Sequence, residues 1–86
     1  MRVRIPTPLR SYTRNAASVT ASGSTVGEVL ADLDEQFPGI TFRLVDEQGS
    51  VRQHMVIWVD GRRCRDLDTP LDGIDEVVLM QALSGG

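Results

Sequence analysis

Eighty-six residues, 41 % hydrophobic and 24 % charged, suffice for one small domain and exclude a second core. A formal net charge of −3 argues against a nucleic-acid binder, which normally carries a basic surplus, and no apolar run is long enough to span a bilayer. The single cysteine, Cys64, excludes an internal disulfide and a cysteine-cluster metal site. Met1-Arg2-Val3-Arg4-Ile5-Pro6 lacks the apolar stretch of a signal peptide, so the expected setting is cytoplasmic, with no membrane or nucleic-acid partner.

All nine basic side chains are arginine. Without a lysine ε-amine, the chain cannot accept an isopeptide bond from another copy of itself through a lysine. Val3 and Ile5 alternate with Arg2, Arg4 and Pro6, the period of a half-buried strand. Ser18-Val19-Thr20-Ala21-Ser22 predicts a second strand, and residues 7–17, with Pro8 and Asn15, a long hairpin loop between the two. Thr25-Val26-Gly27-Glu28 is a capping box. Val26, Val29, Leu30, Leu33 and Phe37 then recur at helical spacing as one apolar stripe, which Pro38-Gly39 terminates. Asp32, Asp34 and Glu35 lie off the stripe and read as a solvated face.

Residues 40–51 read as irregular, with Phe42, Leu44 and Val45 as core fillers and a turn at Gln48-Gly49-Ser50. Met55-Val56-Ile57-Trp58-Val59 is rich in β-branched and aromatic side chains and predicts a strand. Asp60-Gly61 follows as a type I′ hairpin signal, and residues 62–65 return as a short edge strand. After the Asp72-Gly73 turn, residues 76–82 form the last strand, with Leu83-Ser84-Gly85-Gly86 behind it. The order β-β-α-β-β-β packs as one sheet with the helix across one face, and a right-handed crossover sets the last strand parallel to the first. Val3, Ile5, Val26, Leu30, Leu33, Ile57, Val59 and Leu79 are the expected core.

This layout, ending on Gly85-Gly86, resembles the ThiS/MoaD family of ubiquitin-like sulfur carriers over essentially the whole chain. Within it, the likeness is greatest to the actinobacterial carriers of cysteine biosynthesis and the related small archaeal modifiers. The supporting residues are Ile5-Pro6-Thr7 with Leu9-Arg10, and Ala21-Ser22-Gly23 before Thr25. Later come Gly39-Ile40, Arg43-Leu44 with Asp46, Ile57-Trp58-Val59-Asp60, Cys64-Arg65 and the diglycine. The tail departs from the family pattern in that Gln81-Ala82 lacks proline and Leu83-Ser84 replaces the usual pair.

The resemblance implies an α+β fold, the ubiquitin-like β-grasp, with a mixed sheet and one main helix packed across it. Residues 1–82 would form this domain and residues 83–86 a flexible tail. It also implies that Gly86 is adenylated by a MoeB/ThiF-like enzyme using ATP and magnesium, then converted to a thiocarboxylate by a persulfide sulfur donor. A sulfur-accepting synthase making cysteine, molybdopterin, thiamine or a specialised thio-metabolite would consume that sulfur. Gly85, Ser84 and Leu83 are the expected recognition residues of the tail. Glycine has no Cβ to clash in a narrow crevice.

The chain itself would be a protein co-substrate with no bound cofactor and no catalytic or metal site. Alternation places Met80, Trp58 and Val56 on the sheet face away from the helix, a candidate partner strip; packing of Trp58 on its neighbours is the plainer alternative. Cys64 reads as a buried small hydrophobe and His54 as a surface residue. Arg10, Arg14, Arg62, Arg63 and Arg65 would steer acidic partners or merely be solvated. Competing functions are a protein modifier joined through Gly86 to target lysines and a β-grasp binding module without tail chemistry. An independent enzyme fits least, because no nucleophile–base pair is visible.

Overall fold

The computed structural model describes residues 1–82. Strands β1 (Arg2–Arg4) and β2 (Ser18–Thr20) precede helices α1 (Val26–Gln36) and α2 (Ile40–Leu44); β3 (Met55–Val59), β4 (Arg62–Cys64) and β5 (Glu76–Gln81) follow. The sheet order is β2-β1-β5-β3-β4. β5 runs parallel to β1 and antiparallel to β3, as the crossover rule anticipates. This is the β-grasp, with a Cα radius of gyration of 11.8 Å. No helix among the described residues is long and apolar enough to cross a membrane.

Local chemistry explains the elements. Thr25, extended at φ −130° and ψ 165°, accepts the Glu28 backbone N–H and caps α1. The Glu28 carboxylate reaches back to the N–H of Ser24, at 2.8 Å, one residue before the donor of the usual capping box. A Cβ at Gly23 would come within 2.6 Å of the Val29 nitrogen, so glycine lets the chain pass close under this helix start. Val26, Val29, Leu30 and Leu33 are all buried against the sheet. In the β3–β4 hairpin Asp60 and Gly61 have φ of 52° and 76°, the positive values a type I′ turn requires.

The stretch expected to be irregular holds α2, and its cause lies on α1. One carboxylate oxygen of Asp34 accepts the N–H groups of both Gly39 and Thr41, each at 3.1 Å. Asp34 therefore caps the next helix rather than facing solvent unused. Asp32 likewise accepts from the Ser22 N–H at 2.9 Å, tying β2's exit to α1, whereas Glu35 is exposed. Helical geometry also corrects the expected core. Ile40 and Leu44, four apart, point inward, and Phe42 between them points outward, 59 % exposed. Asp34→Ala should cost about 1 kcal/mol in urea denaturation, the usual worth of a helix cap. Glu35→Ala should change stability by less than about 0.5 kcal/mol.

All eight expected core residues are buried, and Leu9, Ile40 and Leu71 join them from segments that read as loops. Leu9 closes a 3-10 turn (Thr7–Leu9) inside the long β1–β2 connection, which therefore packs against the core. The Asp46 carboxylate accepts the N–H groups of Ser50 and Gln48, and these bonds hold its pKa below the ordinary value as they close the turn before β3.

Candidate functional site

β5 lies at the centre of the sheet, so whatever follows it leaves from between β1 and β3. Val77 and Leu79 are buried beneath it; Val78 and Met80 face the other way, with Met80 48 % exposed. In the antiparallel register Val56 stands opposite Met80 and Trp58 opposite Val78. The three residues of the expected strip are therefore neighbours on one face, with Val56 and Trp58 half-buried and Met80 exposed. On the parallel side Arg4 is in register with Val78 and adds a cation beside the strip. Just past β5, the Ala82 N–H donates to the His54 carbonyl at 2.7 Å. Leu83, Ser84, Gly85 and Gly86 lie outside the described residues.

Beside this root runs a groove of about 720 Å³ between the end of β5 and the segment leaving β1. Arg4, Pro6, Pro8, Arg10, His54 and Met80 contribute to its lining. The Arg10 Nε–H donates to the Ile5 carbonyl at 3.1 Å, which ties this lining side chain to the segment leaving β1. Sequence spacing does not reveal this cleft, because its walls depend on the register of β1 against β5 and on how the segment after β1 packs. A second unread feature is the stacking of Arg52 on exposed Phe42, 4.8 Å from cation to ring centre. The Arg52 Nε–H also donates to the Phe42 carbonyl at 2.7 Å.

Cys64 is buried on edge strand β4, its Sγ hydrogen-bonded to the Asp66 carbonyl at 3.2 Å and the Thr69 hydroxyl at 3.3 Å. His54 is exposed on the approach to β3, and no hydrogen bond joins it to Cys64 among the described residues. No group of three or more His, Cys, Asp or Glu among the described residues could hold a metal ion. What the described residues offer is a partly apolar face and a flanking basic groove beside the end of β5. Such a surface is suited to docking.

Comparison with known proteins agrees along nearly the whole length. Residues 3–86 match the ThiS family. The chain is 37 % identical over 89 residues to the sulfur carrier protein CysO of Mycobacterium tuberculosis, covering 98 % of this chain and 96 % of that protein. The crystal structure of that organism's CysO superposes with a TM-score of 0.88 at 36 % identity, covering 95 % of this chain and 98 % of the other. A chain in the crystal structure of the Amycolatopsis orientalis BexX/CysO complex gives a TM-score of 0.87 at 31 % identity, covering 99 % and 98 %. Small archaeal modifier protein 3 of Haloferax volcanii is 36 % identical over 66 residues, 73 % of this chain and 71 % of that protein. With the family match running over residues 3–86 and a 37 % identical relative covered almost throughout, this chain belongs to the ThiS family.

Proposed function

We propose that the chain is a sulfur carrier whose reactive group is the carboxyl of Gly86. The observation that carries this reading is the full-length likeness to CysO. A carboxylate is a poor electrophile. A MoeB/ThiF-like enzyme would join it to AMP from ATP and magnesium, releasing pyrophosphate and creating a good leaving group. A persulfide sulfur then attacks the acyl carbon, AMP departs, and thiol cleavage of the resulting acyl disulfide leaves the thiocarboxylate. In this reading the chain supplies the reacting carboxyl and the surface that presents it; the catalytic groups belong to its partners, in the cytoplasm. The likeness to a chain of the BexX/CysO complex supports docking on a second protein, here a synthase that accepts the sulfur.

The direct test is intact mass after incubation with the activating enzyme, ATP and a sulfur source. Exchange of oxygen for sulfur should add about 16 Da. A second reading, conjugation of Gly86 to target lysines, is favoured by the likeness to the archaeal modifier. It uses the same activated carboxyl and would leave a ladder of high-mass conjugates in cells.

Met80, Trp58 and Val56 are the proposed docking residues for the activating enzyme. Met80→Asp should leave the melting temperature almost unchanged, because the side chain is exposed on the outer face. It should lower activation efficiency at least about tenfold, or about 1.4 kcal/mol, since a carboxylate buried against an apolar partner lacks compensation. Activation rate against carrier concentration, with thermal melts alongside, separates docking from folding.

A further inference from the structure

Among the described residues, the groove beside the end of β5 is charged in one sense only. Its ionisable lining residues are Arg4, Arg10 and His54, on a chain whose net charge is −3. At the other end of the same strand, a cleft is lined instead by Asp60, Asp75 and Glu76. β5 therefore runs from an acidic end toward a basic one, and the basic end is where the tail begins. Among the described residues neither Arg4 nor Arg10 is paired with a carboxylate; the ion pair found there joins Arg2 to Glu76 at 3.5 Å. The groove also has apolar surface from Pro8 and Met80, so a purely hydrophilic occupant would waste it.

We propose that this groove receives an extended acidic segment of the enzyme that activates Gly86, its carboxylates on Arg4 and Arg10 and an apolar side chain between Pro8 and Met80. The identity of the enzyme rests on the sulfur-carrier reading; the acidic character of the occupant does not. Proximity requires an enzyme that holds the Gly86 carboxyl; the activating enzyme is the occupant proposed, and the activation kinetics of Arg4→Glu separate it from a synthase that takes the sulfur. Four residues follow Ala82, a span of at most about 14 Å when extended, so an enzyme holding the Gly86 carboxyl has its own surface beside the groove. The bond from Arg10 to the Ile5 carbonyl orients the guanidinium beforehand and reduces the ordering cost of pairing. Complementary charge at such a rim acts mainly on encounter rate and orientation, and salt weakens it.

Two measurements on the full chain test this. In the first, isotope-labelled protein is titrated with a blocked pentapeptide alternating glutamate and leucine, with the lysine–leucine peptide as control. Amide shifts confined to the groove walls, at Arg4, Thr7, Arg10 and residues 79–82, are expected for the acidic peptide alone, and should vanish in Arg4→Glu. An equal response to both peptides, shifts elsewhere, or no response overturns the proposal. In the second, Arg4→Glu should lower kcat/KM for activation at least fivefold at low salt, with kcat unchanged and the gap closing as salt rises. Arg2→Glu, the same charge change at the far end of β1, should lower it less than twofold. Equal losses in both variants, or none in Arg4→Glu, would remove the groove from docking. Wild-type protein that gains no sulfur overturns the carrier reading and with it the enzyme as occupant, while the peptide titration still decides whether the groove takes an acidic chain.

Discussion

Deleting Gly86 should abolish sulfur loading, by at least about 100-fold in rate, and leave the melting curve unchanged. In the proposed sulfur-carrier reading, the reacting atoms are the terminal carboxyl oxygen and the α-phosphorus of ATP. Shortening the chain by one residue withdraws that oxygen by up to about 3.6 Å. A misplacement of only about 1 Å can cost a factor of 100 at an aligned centre. The chain cannot recover the distance by drawing out β5, because the Ala82 N–H is held by the His54 carbonyl and β5 is paired on both sides. The same pairing explains why stability should not change: the last described backbone bond lies four residues before the deletion. Intact-mass kinetics on both proteins, with melts alongside, make the comparison. Normal loading of the truncated chain would falsify the assignment of Gly86.

Leu30→Ala should destabilise the fold by about 2–5 kcal/mol, the range for removing a large buried aliphatic side chain and leaving a cavity. Leu30 is 1 % exposed, in the middle of the stripe that α1 lays across the sheet. Domains of this size are marginally stable, and each kilocalorie should lower the melting temperature by about 4–8 °C. Phe42→Ala removes a larger side chain yet should cost less than about 1 kcal/mol, because Phe42 is 59 % exposed and stacked on Arg52. Urea denaturation of the two variants therefore checks both the core and the corrected orientation of α2. A loss below about 0.5 kcal/mol for Leu30→Ala would mean that the stripe faces solvent.

The parts of the architecture legible in the residue order are those governed by short-range periodicity. The α1 stripe, the β3 and β5 alternation and the Asp60-Gly61 turn each need only a few consecutive residues, and each stands where its pattern puts it. That Met80 is exposed while Leu79 is buried follows from a period of two. In segment 40–51 the turn at Gln48-Gly49-Ser50 and the burial of Leu44 and Val45 were legible, but α2 was not, for the opposite reason. A five-residue helix carries too little periodicity to register, and α2 is capped from a different helix, by Asp34. Leu9 and Leu71 enter the core from turns that have no pattern of their own.

By itself, then, the sequence determined the alternating faces of the strands, the buried face of the main helix, the parallel pairing of first and last strands, and a family resemblance that its relatives bear out. Each of these depends on local backbone geometry or on the handedness of a single crossover. Only the tertiary structure decided that Arg4, Arg10 and His54 line one groove at the root of the tail, that Val56 stands against Met80, and that Asp34 holds α2. Those relations join residues dozens of positions apart. They are set by the register between strands and by where the connecting segments pack, and that is settled when the whole core closes.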